Sequence, residues 1–258
     1  MNEEAIRERL VKRGLDKYKA PPYFVEFSGD SEADELINDL QVYPHAFLIA
    51  CVANRQIKGE LDWTLPYRLK QRLGHLWMSR LCELTLKDIE AVTSKPEPVE
   101  GFTTEVCKNI YGAVSLIHSK YEGDAARIWS DRPSSGELVY RFLEFRGVGP
   151  KIANRAANVL ARQFRISLAD YYSIDISADA HVKRVFKRLG LVPKDSSDEH
   201  FIFKARSIHP KFPGVLNLPG WEIGAKWCKP RIPVCQGCYM NDLCPSASVE
   251  NKKQTVSG

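Results

Sequence analysis

Two side chains and one cluster in this sequence have types and settings that suit chemistry. Lys151 directly follows Gly147-Val-Gly-Pro150, so it falls in the first turn of whatever helix begins at Pro150. A lysine amine, when unprotonated, is a nucleophile toward a carbonyl-like carbon. Asp179 heads a second helical pattern, Ser177 to Val192. A carboxylate there ordinarily caps free amides, and it can also stabilise positive charge that develops nearby. Cys228, Cys235, Cys238 and Cys244 fall in one short stretch, spaced Cys-x6-Cys-x2-Cys-x5-Cys. Four thiolates gathered in this way suit either an iron-sulfur cluster or a tetrahedral zinc ion.

The elements that must carry these residues follow from hydrophobic spacing. Leu138, Val139, Phe142, Leu143 and Phe145 form a first apolar stripe, and Ile152, Ala153, Ala156, Val159, Leu160 and Phe164 form a second near i, i+3, i+4, i+7 and i+8. Gly147 and Gly149 allow a sharp turn between the two, and Pro150 suits a first helical residue. The pattern is a helix-hairpin-helix. Small residues leave the amides at the head of the second helix open to a phosphate, at the positive end of its dipole. Arg146 and Arg155 flank the turn and add charge. The plainer alternative is a tight turn between two core helices.

The remaining chain reads as further helices without strands, so the fold class is all-α. Residues 1–19 give a peripheral helix with a thin apolar edge, and Asp30 to Asp39 a short exposed one. From Pro44 the run Ala46-Phe-Leu-Ile-Ala-Cys-Val-Ala53 is apolar on every face and must be a buried helix. Its polar end is Asn54-Arg55-Gln56. Helices follow over 60–93, with a Thr85-x-x-Asp88 cap, and over 103–121. Ser134 or Ser135 is a candidate cap for the hairpin's first helix.

Composition narrows the class. The 258 residues carry 37 Lys and Arg against 32 Asp and Glu, a net charge of +5, which is compatible with nucleic acid but does not establish it. No stretch approaches the length of a membrane span, and the first residues lack the apolar core of a signal peptide. An intracellular protein follows, whose seven cysteines are thiols or ligands rather than disulfides.

Four stretches together resemble the endonuclease III type of DNA glycosylase, within the helix-hairpin-helix superfamily. They are FLIACVANRQ (47–56), GVGPKIAN (147–154), ADAHVKRV (178–185) and CKPRIPVCQGCYMNDLC (228–244). The resemblance covers roughly residues 44–245. It implies two helical domains with a DNA-binding cleft between them. One is a helical barrel over 44–165 that contains the hairpin; the other is a discontinuous iron-sulfur domain from 1–43 and 166–245, followed by a flexible tail at 246–258.

The resemblance also implies roles. Lys151 is the catalytic amine and Asp179 the catalytic carboxylate, with His181 structural and Asp175 ranked lower. Gln56, with Arg55 beside it, probes the duplex and fills the gap left by an extruded base, although a solvated helix end is the plain reading of both. Phe102 is the residue nearest the family's second probing loop. The hairpin contacts DNA through Arg146, Gly147, Gly149 and Arg155. Cys228, Cys235, Cys238 and Cys244 hold a [4Fe-4S] cluster, with Lys229 and Arg231 of the same loop on phosphates, and zinc is the alternative metal.

The implied activity is base-excision repair: removal of a damaged or mispaired base, with an associated AP-lyase step through a lysine Schiff base. Its partner is double-stranded DNA, with no membrane, and the protein acts as a monomer in the nucleoid or the nucleus. Two other readings stand beside it, a monofunctional glycosylase and a non-catalytic lesion sensor. Adenine-removing members of the family carry serine where Lys151 stands and glutamate on the buried helix where Cys51 stands, which disfavours the monofunctional reading.

Overall fold

The structure is a computed structural model of the chain, and it describes residues 3–20, 24–53 and 61–247. Arg55 and Gln56 lie outside the described residues, as do residues 248–258 of the expected tail. All regular elements among the described residues are helical. They run α1 (Glu3–Lys19), α2 (Ser31–Asn38), α3 (Pro44–Ala53), α4 (Leu61–Leu73), α5 (Met78–Leu81), α6 (Leu86–Ser94) and α7 (Thr104–Lys120). Then come α8 (Ser135–Leu143), α9 (Pro150–Arg162), α10 (Ala180–Arg188), α11 (Asp198–Ile208) and α12 (Asn217–Lys226), with short 3-10 turns between some of them. No helix among the described residues is long and apolar enough to cross a membrane.

The chain forms two compact units, one of residues 22–169 and one of residues 1–21 with 170–258. In the first unit α3 is the central element. All ten of its residues are buried, as a helix with no polar face requires. It packs on α2, α4 and α7. Phe47 meets Trp63, Trp129 and Phe164 at ring separations of 6.0, 6.3 and 5.7 Å. A fully buried side chain such as Phe47 contributes about 1.5–3 kcal/mol. Thr85 and Asp88 form a reciprocal capping box at the start of α6, and Ser134 caps α8 by accepting from the Glu137 amide at 3.1 Å.

Residues 24–43 belong with this unit, whereas the sequence reading groups them with the cysteine-bearing part. The acidic look of α2 hides a packed face: Ala33, Leu36 and Ile37 are buried, and the helix lies against α4 and α3. Phe27 stacks on Trp63 at 4.4 Å. Asp34, 1% exposed, turns inward, where its carboxylate accepts from the Phe27, Ser28 and Gly29 amides. The expected exposed helix is therefore half buried: Glu32 and Glu35 face water, while Asp34 caps a loop.

In the second unit α1 buries Ile6, Leu10 and Gly14, one residue per turn. Gly14 is compulsory, since a Cβ there would lie 2.2 Å from the Val215 carbonyl oxygen. Two basic residues of this peripheral helix are anchors and not solvated charges. Arg13 makes a two-pronged bond to buried Glu222 of α12, at 3.0 and 2.8 Å, and Arg9 donates to the Tyr239 carbonyl at 3.0 Å. The α10 and α12 helices pack on each other and complete this core.

Candidate active site and cysteine centre

The hairpin turn is built by two glycines with different reasons to be glycine. Gly147 has φ +87°, in the left-handed region, and a Cβ on it would approach Asn109 Nδ2 to 2.4 Å. Gly149 has φ −104°, which any residue adopts, and a Cβ there would meet nothing within 4 Å. The space over Gly149 is open to an incoming group. Pro150 opens α9, and the first amide of the helix to find a backbone acceptor is that of Ala153, on Gly149 O at 3.0 Å. The amides before it have no partner along the helix, as at any helix head. Lys151 is exposed at this point.

The two arginines that flank the turn are both engaged. Arg146 pairs with Glu105 of α7 at 2.9 Å, and that hydrogen bond, followed by Lys108, holds the Glu105 carboxyl below its ordinary range. Arg155 lies one turn along α9 from Lys151. Its guanidinium sits over the Trp63 ring at 5.0 Å and 4.0 Å from the buried Asp62 carboxylate. Burial pushes the nearby Cys51 thiol up to about 12, so it stays protonated at neutral pH.

Asp179 caps α10. Its Oδ1 accepts from the His181 and Val182 amides at 2.8 and 2.9 Å, and among the described residues Oδ2 makes no hydrogen bond. The side chain is part-exposed. The amides keep the carboxylate fixed at the helix head with one oxygen to spare. Asp175 is committed elsewhere: it is 6% exposed and bound by Arg206 through two hydrogen bonds of 2.8 and 2.7 Å. His181 packs so closely on α12 that a Cβ on Gly224 would lie 2.6 Å from its own, and its Nδ1 is 3.1 Å from Arg184 Nη2.

Cys228, Cys235, Cys238 and Cys244 line one cavity, whose walls include the apolar Val185, Leu189 and Met240. Burial, and then neighbouring cysteines, push the Cys238 thiol above its usual value, and burial does the same for Cys244. Arg188 of α10 lies against this centre, donating to Cys228 Sγ at 3.3 Å and to the Lys229 and Pro230 carbonyls at 2.7 and 3.0 Å. Lys229 and Arg231 are exposed on the loop between the first two cysteines. Soft sulfur donors facing one apolar cavity beside a cation are a donor set that fits a thiolate-bound group. Among the described residues no three His, Cys, Asp or Glu side chains close tightly enough to clasp a single metal ion.

No protein-family model matches the chain. Comparison with known sequences does find relatives. The chain is 29% identical over 212 residues to endonuclease III homolog 2, chloroplastic, of Arabidopsis thaliana, covering 79% of this chain and 48% of that protein. It is 30% identical over 155 residues to endonuclease III of Synechocystis, covering 57% of this chain and 58% of that protein. The chain is endonuclease III-like. It spans about half the length of these relatives.

The fold agrees. A solved structure of a trapped endonuclease III-DNA covalent intermediate, an estranged-adenine complex, superposes with TM-score 0.55 at 24% identity, covering 86% of this chain and 95% of that one. At that identity the likeness speaks for the fold alone, and the fold is the all-α, helix-hairpin-helix architecture.

The residues that sequence reading passes over in this endonuclease III-like chain are Asn109, Glu105, Asp62 and Arg188, each of which holds a candidate site residue or its neighbour in place. Asn109 had one visible signal. It is a polar residue on the stripe of Val106, Ile110 and Ala113, where α7 is otherwise apolar.

Proposed function

We propose that this protein is a base-excision repair DNA glycosylase with an associated AP-lyase step. The observation that carries the proposal is Lys151, exposed in the first turn of α9 next to the open space over Gly149, in a chain similar to endonuclease III. A phosphate seated on the hairpin amides brings the adjoining deoxyribose to this amine.

In the proposed reaction the Lys151 amine attacks the anomeric carbon, and the base leaves with the glycosidic electron pair. The carbon-nitrogen bond formed becomes a Schiff base as the sugar ring opens. Loss of a proton from the adjacent carbon then expels the 3′ phosphate, and water releases the lysine. Positive charge builds on the sugar while the base departs, and the spare oxygen of Asp179 is assigned to stabilise it. Base and sugar must leave the stack for this, and the segment with Arg55 and Gln56 is assigned to the gap.

A [4Fe-4S] cluster is the group assigned to Cys228, Cys235, Cys238 and Cys244, and when bound it supplies rigidity to a loop that offers Lys229 and Arg231 to phosphates. The substrate class is duplex DNA with one damaged or mispaired base, bound by a monomer, in the nucleoid or nucleus. Oxidised pyrimidines are the first lesions to try.

A panel of duplexes, each with one modified base, tests the proposal when base release and strand cleavage are scored separately. Release followed by cleavage, with both lost in Lys151→Ala, is expected. Release without cleavage identifies a monofunctional glycosylase. Specific binding with neither product identifies a lesion sensor.

A further inference from the structure

The hairpin turn is seated on α7. Glu105, Asn109 and Gly112 fall at i, i+4 and i+7, so they share one face of that helix. Glu105 pairs with Arg146, and a Cβ on Gly112 would lie 3.7 Å from Arg146 Cβ, so the arginine stem runs over the glycine. Asn109, 3% exposed, occupies the space beside Gly147 so fully that no Cβ fits there. Its amide has a second contact on the other side: Nδ2 donates to the Val52 carbonyl at 3.2 Å. Val52 is in the last turn of α3, where carbonyls have no acceptor role left within the helix. Asn109 thus caps one helix from another while it bears on the hairpin.

We propose that Asn109 is a positioning residue that locks the hairpin turn to the end of α3. The backbone that would receive phosphate and the last turn of α3 then keep one fixed relation. An apolar side chain would pack this stripe equally well; the amide adds direction, because a hydrogen bond holds only in a narrow range of geometry. The inference rests on the glycosylase reading.

The test uses the full chain with Asn109→Leu, of similar shape but without a donor, and Asn109→Ala in case the first does not fold. Affinity is measured for an intact duplex and for the same duplex with a central tetrahydrofuran abasic analogue. Hydrogen exchange is followed at the amides of 145–149 and of 50–53. The expected result is an affinity for intact duplex within about 2-fold of the parent and a preference for the analogue reduced about 10-fold, since small misplacements near a reacting centre have effects of that order or larger. Exchange rises in both segments together. An unchanged preference, or exchange that rises in one segment only or in neither, overturns the proposal. A parent protein with no preference for the analogue overturns the glycosylase reading instead, and the exchange result then decides the role of Asn109 by itself.

Discussion

The guanidinium of Arg146 lies 2.9 Å from the Glu105 carboxylate, so the cation that precedes the hairpin turn is already paired before any phosphate arrives. Both side chains are about half exposed, which makes the pair weak and easy to exchange. Binding DNA by this face must swap a carboxylate partner for a phosphate one.

Replacing Glu105 by Gln removes the competitor. The expected outcome is tighter binding to undamaged duplex, by about 3-fold at low salt, with the gain fading as salt rises and both forms are screened. Arg146→Ala acts in the opposite sense and reduces the salt slope by about one unit. Fluorescence anisotropy titrations across a salt series check both.

The two glycines of the turn should separate fold from function. Gly147→Ala must pay for φ +87° and for the clash with Asn109, and is expected to lose about 2–3 kcal/mol of stability. Gly149→Ala meets no protein atom and has an ordinary φ, so it should lose about 1 kcal/mol or less, mainly as a poorer helix cap. Yet it places a methyl group where phosphate would approach, and DNA affinity should fall by about 10-fold or more. Urea unfolding and binding titrations on the pair give the comparison.

The bond between Arg13 and Glu222 ties α1 to α12 and sets a dependence on acid. Burial acts to raise the Glu222 carboxyl, and the hydrogen bonds and charge of Arg13 outweigh it, leaving the group below its ordinary 4.5. With the folded value below the unfolded one, the contribution is complete above about pH 4.5 and is lost as pH falls through the folded value. Arg13→Ala is expected to cost about 2 kcal/mol, less than a fully buried pair because Arg13 is part-exposed and Lys226 remains 3.3 Å away. Without Arg13 burial dominates, so the acid unfolding midpoint of the variant should move to higher pH. Circular dichroism over a pH series reads the shift.

The cysteine loop makes a compositional prediction. Protein purified without oxygen should contain iron and acid-labile sulfide in place of zinc, with the broad visible absorbance of thiolate-bound iron. Cys238→Ser should lose most of that absorbance, and Arg188→Ala, which removes the donor to Cys228 Sγ, should make the colour bleach faster in air. Elemental analysis that finds one zinc per chain would reassign the centre.

What was legible in the sequence was local. An apolar run with no polar face can only be a buried helix, and α3 is one; Gly-Val-Gly-Pro can only be a turn ahead of a helix, and α9 begins at Pro150. Caps at Thr85 and Asp179 depend on two or three neighbours and were equally plain, and Ser134 was one of two adjacent candidates. The failures are non-local. Arg13 and Glu222 stand 209 positions apart, and nothing near Arg13 marks it as other than a solvated cation. The packed face of α2 is masked by its carboxylates, one of which, Asp34, turns inward to cap a loop, and this is visible only once Asp34 is seen with the Phe27 to Gly29 amides. Asn109 reads as a tolerated polar residue until Val52 and Gly147 are found on either side of it.

The account stands most directly on the amine at position 151. Borohydride reduction during incubation with a duplex containing a single abasic site should give a stable protein-DNA adduct, and peptide mass spectrometry should place the link on Lys151. Asp179→Asn should still bind that duplex, and on a duplex carrying a damaged base in place of the abasic site it should release the base at a rate about 100-fold or more below the parent. An adduct of undiminished yield in Lys151→Ala, or a link mapped to another residue, would contradict the account.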